Sequence, residues 1–382
     1  MLPRKLNTKL QKRMDENSLR KLGTPNLLID FSSNDYLGFS FNKSIFQNTS
    51  KILKRHNLEV NGATGSRLLS GNHSIYTETE QLLSKFYNSE HALLFNSGYD
   101  ANVGFFSSVP QRGDVILYDE LCHASIRDGI KMSDAKAFKF NHNNLIHLEK
   151  QLSFRAETRK ENEEQYIVTE SVFSMDGDQP DLISLVSLCK NYNAHLIIDE
   201  AHAVGIFGDK GEGLVKGLGL ENEVFARIIT FGKALGCHGA AILCSAGLKN
   251  YLVNFSRSFI YTTALPPHSI ATIQSAHEEL RIINRSRINL KSNIAILLKE
   301  VMSKDLEQHF ILSDSAIHSC VIPGNTQVKK ISEALKEEDF DVKPILSPTV
   351  PRGQERLRIC IHSFNTSEQI KTLISTIATF VK

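Results

Sequence analysis

The chain has 382 residues, 41% hydrophobic and 23% charged, proportions of an ordinary globular protein that exclude disordered, collagen-like and coiled-coil architectures. Its 44 basic and 42 acidic residues leave a net charge of +2 and are spread along the sequence, so no concentrated basic patch marks a nucleic-acid partner. Six scattered cysteines, Cys122, Cys189, Cys237, Cys244, Cys320 and Cys360, form no CxxC pair and no disulfide framework, which fits a reducing, cytoplasmic compartment.

Residues 1–16 are rich in Lys, Arg, Asn and Gln and lack the apolar core of an export signal. The segment up to about Lys21 reads as a helical arm. No window approaches the roughly 18 uninterrupted apolar residues of a membrane span. Residues 28–31 read as a strand leading into Ser32-Ser33-Asn34-Asp35-Tyr36-Leu37-Gly38.

Short apolar runs then alternate with segments of helical spacing. Residues 92–95, 114–118, 165–169, 195–199, 227–231 and 240–244 read as buried strands, and 74–87, 99–109 and 182–192 as helices between them. Such alternation predicts a mainly parallel sheet covered by helices on both faces. The polar stretch 155–165 reads as a surface loop inside this α/β unit. Beyond Pro266 a long charged helix is expected over 269–304, followed by strands at 318–322 and 357–361. Residues 1–40 are thus expected to form an N-terminal arm, 41–268 a large domain and 269–382 a small C-terminal α+β domain.

Two strand ends carry the chemistry. The run Leu196-Ile197-Ile198-Asp199-Glu200-Ala201-His202 places an acid where an apolar strand stops, and Ile228-Ile229-Thr230-Phe231-Gly232-Lys233 does the same with a lysine 34 residues later. In a parallel sheet the ligand crevice lies at the carboxyl ends of the strands. An acid and a lysine there suit pyridoxal phosphate, which is held as a lysine Schiff base while an acidic partner keeps its ring nitrogen protonated. The phosphate needs backbone N–H donors at a helix N-terminus, which the turn Asn96-Ser97-Gly98-Tyr99 supplies. No metal-ligand spacing is visible.

These residues, with Gly62-Ala63-Thr64-Gly65-Ser66-Arg67, Ser70-Gly71 and Arg356-Leu357-Arg358, resemble the α-oxoamine synthases, pyridoxal phosphate enzymes of aminotransferase-like fold (fold type I). The resemblance runs over nearly the whole chain. It implies a large domain with a mainly parallel seven-stranded sheet, a small C-terminal domain, and a homodimer with a shared active site. By the same resemblance, Lys233 would carry the cofactor and act as base, Asp199 would pair with the ring nitrogen, and His202 and Ser174 would bond the phenolic oxygen. His123 would stack on the ring and reach the substrate. Gly98, Tyr99 and Thr230 would hold the phosphate, joined by Thr262 and Thr263 of the neighbouring subunit. Arg358 would grip the amino-acid carboxylate, and Arg20 and Thr349 would contact the acyl substrate.

Within the family, the stretches Val172-Phe173-Ser174-Met175-Asp176-Gly177-Asp178, Ile260-Tyr261-Thr262-Thr263-Ala264-Leu265-Pro266-Pro267 and Pro348-Thr349-Val350-Pro351 look most like the branch that joins L-alanine to a pimeloyl thioester in the biotin pathway. Sister branches of the serine palmitoyltransferase, glycine C-acetyltransferase and 5-aminolevulinate synthase types are the near alternatives. A non-catalytic cofactor-binding regulator is the remote one. The acyl group would arrive on coenzyme A or on an acyl carrier protein; the basic arm residues Arg4, Lys5, Lys9, Lys12 and Arg13 would meet such a carrier through charge. Cys237 and His238 read as parts of a packed turn.

Overall fold

All six apolar runs expected between residues 92 and 244 are strands in the structure, a computed structural model that describes residues 2–24, 27–157, 160–282 and 284–381. Residues 1, 25 and 26 of the expected arm, 158 and 159 of the expected loop, 283 of the expected long helix and 382 of the expected small domain lie outside the described residues. The strands are β1 (His91–Phe95), β2 (Val115–Asp119), β3 (Lys136–Phe140), β4 (Gln165–Glu170), β5 (His195–Asp199), β6 (Ala226–Thr230) and β7 (Ala240–Cys244). They form one seven-stranded sheet in the order β1-β7-β6-β5-β4-β2-β3. Only β7 runs against its two neighbours; the other pairs are parallel.

Sequence reading missed β3. Four of its five residues, Lys136 to Lys139, are exposed, so it has no apolar run to read. It is an edge strand whose lysines guard the open side, and only its parallel pairing with β2 defines it.

The sheet and its helices belong to the larger of two compact units, residues 37–174 with 179–287. Alternation along each strand divides its side chains between two apolar layers. Ile116, Val168 and Ile197 enter one layer with Ala101, Phe105 and Ile126, while Val115, Leu117, Ile167, Leu196 and Ile198 enter the other with Leu148, Leu152, Leu185 and Cys189. Each fully buried aliphatic or aromatic side chain contributes about 1.5–3 kcal/mol. Helix starts are capped by side chains the local sequence supplies: Ser97 accepts from Asp100 N–H, Asp181 from Ser184 N–H and Ser245 from Leu248 N–H.

The smaller unit comprises residues 1–36, 175–178 and 288–382. It holds a four-stranded antiparallel sheet, ordered Lys343–Ile345, Arg356–Cys360, Ile317–Val321, Phe310–Ile311, and a two-stranded parallel pair of Ile29–Asp30 with Phe340–Asp341. The arm contains the helix Arg4–Asp15. The long helix expected over 269–304 is instead two, Pro267–Ile282 and Arg285–Ser303. Asn284 stands immediately before the second one, a residue type that favours a helix start over a helix interior. Among the described residues no helix is long and apolar enough to cross a membrane.

Candidate active site

The carboxyl ends of β4, β5 and β6 lie side by side, and each delivers a residue with chemical capacity. Glu170 ends β4, Asp199 ends β5 and faces Glu170 in register, and Thr230 ends β6. Asp199 is buried. Its Oδ1 accepts the Ala201 N–H at 2.9 Å and its Oδ2 accepts from Asn102 Nδ2 at 2.9 Å. His202, three residues on, is also buried, and Ser174 is partly buried four residues beyond Glu170.

Lys233 sits on a tight turn after β6. Gly236 N–H donates to the Lys233 carbonyl at 2.8 Å, and Cys237 N–H to the Phe231 carbonyl at 2.8 Å. Gly236 has φ +61°, and a Cβ there would strike the backbone of Phe39 and Ser40, so only glycine fits both the left-handed conformation and the space. Cys237 Sγ donates to the Leu235 carbonyl at 3.0 Å. That bond fits the packed-turn reading of this segment.

His123 stands just before the helix Ala124–Met132. Its backbone N–H donates to Glu170 Oε1 at 2.5 Å and its Nδ1 lies 2.7 Å from Ser125 Oγ. Burial lowers the imidazole pKa; the Asp199 charge opposes this, and the Lys233 and Arg127 charges reinforce it. The Glu170 carboxyl is pushed up to about 8, first by burial and then by the Asp199 charge, against the pull of Lys233. Asp199, Lys233, His123 and Glu170 therefore share one electrostatic neighbourhood.

The helix Gly98–Phe106 begins at the same edge. Ser97 takes the Asp100 N–H at 3.1 Å, whereas the N–H groups of Gly98 and Tyr99, in the first turn, have no intrahelical acceptor. Thr230 closes on this end: a Cβ on Gly98 would come to 3.5 Å from Thr230 Cβ and 3.6 Å from its Oγ1. Asn96 Nδ2 donates to Thr262 Oγ1 at 2.9 Å and to the Thr263 carbonyl at 2.7 Å, so both threonines adjoin the same turn of their own chain. A lysine amine, a buried carboxylate, and a helix N-terminus flanked by a threonine hydroxyl make a donor set that fits pyridoxal phosphate. Lys233, Asp199 and the Gly98–Tyr99 turn would hold it.

The remaining predicted residues belong to the smaller unit. Asp30 accepts the N–H groups of Ser32 and Ser33, each at 2.8 Å, and this turn starts the segment that carries Asn34. Arg358, buried on the strand Arg356–Cys360, donates to Asn34 Oδ1 at 3.0 Å and to Cys360 Sγ at 3.0 Å. Tyr36 hydroxyl donates to the same Asn34 oxygen at 3.0 Å. Arg20 Nη2 donates to Thr349 Oγ1 at 3.2 Å on the surface, although 329 positions separate them in sequence.

Sequence reading missed Glu170, Asn102 and Ser125. Glu170 carries the same signal as Asp199, an acid where an apolar strand ends. Asn102 and Ser125 carry none, since each looks like an ordinary polar helix residue.

A family model described as "Aminotransferase class I and II" matches residues 27–377. A curated protein named 8-amino-7-oxononanoate synthase, from Emericella nidulans, is 39% identical over 397 residues, covering 99% of this chain and 95% of that protein. Among solved structures, a serine palmitoyltransferase from S. paucimobilis with a pyridoxal phosphate–myriocin adduct superposes with a TM-score of 0.88 at 26% identity, covering 99% of this chain and 96% of that one. An 8-amino-7-oxononanoate synthase from Francisella tularensis superposes with a TM-score of 0.77 at 29% identity, covering 94% and 98% respectively.

Proposed function

Because the chain belongs to the class I and II aminotransferase family, in its α-oxoamine synthase branch, we propose that it joins L-alanine to a pimeloyl thioester, releasing CO2 and the free thiol and forming 8-amino-7-oxononanoate for biotin synthesis. The chain is a pyridoxal-phosphate-dependent acyltransferase. The observation that carries the substrate reading is the 39% identity over nearly the full length to a protein named for that reaction.

When bound, the cofactor supplies a protonated pyridine ring that takes up the electrons left by Cα–H and later Cα–carboxylate cleavage. The chain's own residues do the rest. Asp199 holds the proton at the ring nitrogen. Lys233 Nζ would hold the cofactor and would take the Cα proton of the bound amino acid as general base. His202 and Ser174 would bond the phenolic oxygen, and Gly98, Tyr99 and Thr230 would bind the phosphate. His123 would stack on the ring and donate to substrate. Arg358, held in place by Asn34 and Cys360, offers the planar fork suited to the amino-acid carboxylate. Arg20 and Thr349 meet the acyl chain. The working unit is a homodimer, to which Thr262 and Thr263 of the neighbouring subunit contribute.

The test is the absorbance spectrum of the purified protein with pyridoxal phosphate, followed by L-alanine, glycine or L-serine, and then by pimeloyl thioester, with the product identified by mass. A cofactor band that responds to alanine and yields 8-amino-7-oxononanoate supports the proposal. The higher TM-score to serine palmitoyltransferase favours a second reading, a sister synthase. A response to serine with long-chain acyl thioesters, and none to alanine, would establish that reading in place of the first.

A further inference from the structure

Two helices of the larger unit meet behind the site because one of them has no side chain at the crossing. A Cβ on Gly129 would come within 2.9 Å of both the Asn102 carbonyl oxygen and Phe106 Cβ, so Ala124–Met132 and Gly98–Phe106 close only around a glycine. That approach carries Asn102 to Ser125 and to Asp199. All three are buried.

The polarity of the resulting bonds can be read along the chain of partners. Asn102 Nδ2 lies 2.9 Å from Asp199 Oδ2 and 3.0 Å from Ser125 Oγ, which uses both of its hydrogens. The amide cannot be turned over, because its Oδ1 would then face a carboxylate oxygen with no proton between them. Ser125 Oγ therefore accepts from Asn102, which leaves its own hydrogen available to His123 Nδ1, 2.7 Å away. Ser125 backbone N–H approaches the same nitrogen at 3.3 Å. Two donors thus stand against Nδ1, an arrangement that suits a ring nitrogen without a proton. A neutral imidazole so held carries its one hydrogen on Nε2.

We propose that Asn102 and Ser125 are positioning residues that set the tautomer of His123, holding Nδ1 as an acceptor so that Nε2–H is the donor the ring offers to the amino-acid substrate. This deepens the function proposed above and rests on it for the identity of that substrate. The charges around the ring are those of Asp199, Lys233, Arg127 and Asp128, and Glu170 holds the His123 backbone N–H. Burial already disfavours the imidazolium, and donors on Nδ1 act in the same direction because a second ring proton would point at them.

The experiment uses the full chain with ¹⁵N-labelled histidine, and reads the His123 tautomer and pKa from long-range ¹H–¹⁵N correlation spectra before and after saturation with pyridoxal phosphate. A His123→Asn variant assigns the signals. Wild type and Ser125→Thr, which keeps the hydroxyl, are expected to show Nε2–H alone. Ser125→Ala is expected to show a mixture of tautomers and a ring pKa higher by about one unit, and Asn102→Ala, which frees the hydroxyl to rotate, a smaller change in the same direction. A proton on Nδ1 in the wild type overturns the proposal, as do an unchanged tautomer and pKa in Ser125→Ala. If Asn102→Ala does not fold, the Ser125 pair decides alone. The readout needs no turnover, so an enzyme that takes serine in place of alanine would defeat the substrate reading and leave this result standing.

Discussion

Glu170 and Asp199 stand opposite each other in register at the ends of two neighbouring parallel strands, both buried, yet only Asp199 has two side-chain or backbone donors on its separate oxygens. Two like charges this close and this poorly solvated resist being carried together, which raises the cost of ionising a carboxyl there. Glu170 is the one pushed up, to about 8.

A pH-dependent stability follows. The folded protein holds the Glu170 proton more tightly than the unfolded chain, whose reference value is 4.5. The contribution of this group is therefore complete at low pH and is lost as pH rises from near 4.5 toward about 8. Glu170→Gln keeps the oxygen that accepts the His123 N–H and removes the titration. Urea unfolding of the cofactor-free protein should find the variant gaining on wild type as pH increases across that window. A constant difference between the two would contradict the assignment.

Lys233→Ala removes the residue proposed as both anchor for the cofactor and base. Turnover should fall by about three orders of magnitude or more, and the absorbance change on adding pyridoxal phosphate should disappear. Circular dichroism should show the fold intact, since the side chain stands on a turn held by backbone bonds.

Asp199→Asn preserves an acceptor for Ala201 N–H, removes the charge and replaces the oxygen that accepts from Asn102 by an NH2 group. On the role proposed for that charge at the ring nitrogen, kcat should drop by about 100-fold or more, well beyond the loss of about 1–3 kcal/mol of stability expected from the broken Asn102 bond. Steady-state kinetics alongside a melting curve distinguishes this from general damage.

Arg358→Lys retains the positive charge and loses the planar fork. KM for the amino acid should rise by about tenfold or more, while the response to the acyl thioester changes little. Equal losses in both would show that the residue does not act through the amino-acid carboxylate.

Arg227 and Glu200 form a fully buried pair with N···O 3.8 Å, and Arg227 also donates to the Tyr87 carbonyl at 2.5 Å. Arg227→Met leaves Glu200 without its cation and should destabilise the protein by about 3–5 kcal/mol. Adding Glu200→Gln should recover part of that loss in a denaturation series.

The sequence by itself determined the architecture and singled out the two residues proposed for the centre of the chemistry. Apolar runs of strand length separated by helical spacing are local patterns, and they specify a buried parallel sheet before any contact is known. The same locality exposes Asp199 and Lys233, because a polar residue at the stop of an apolar strand stands out from its neighbours. The edge strand Lys136–Phe140 has four of its five residues in water, and hydrophobic burial leaves no trace in such a sequence. The break before Arg285 was hidden for a related reason: charged residues on both sides keep helical composition through it. What only the tertiary structure decided is which distant groups meet. Asn102 reaches Asp199 across 97 positions and Ser125 across 23 because two crossover helices pack around Gly129, and the direction of every bond in that chain depends on a proximity that spacing along the sequence does not encode.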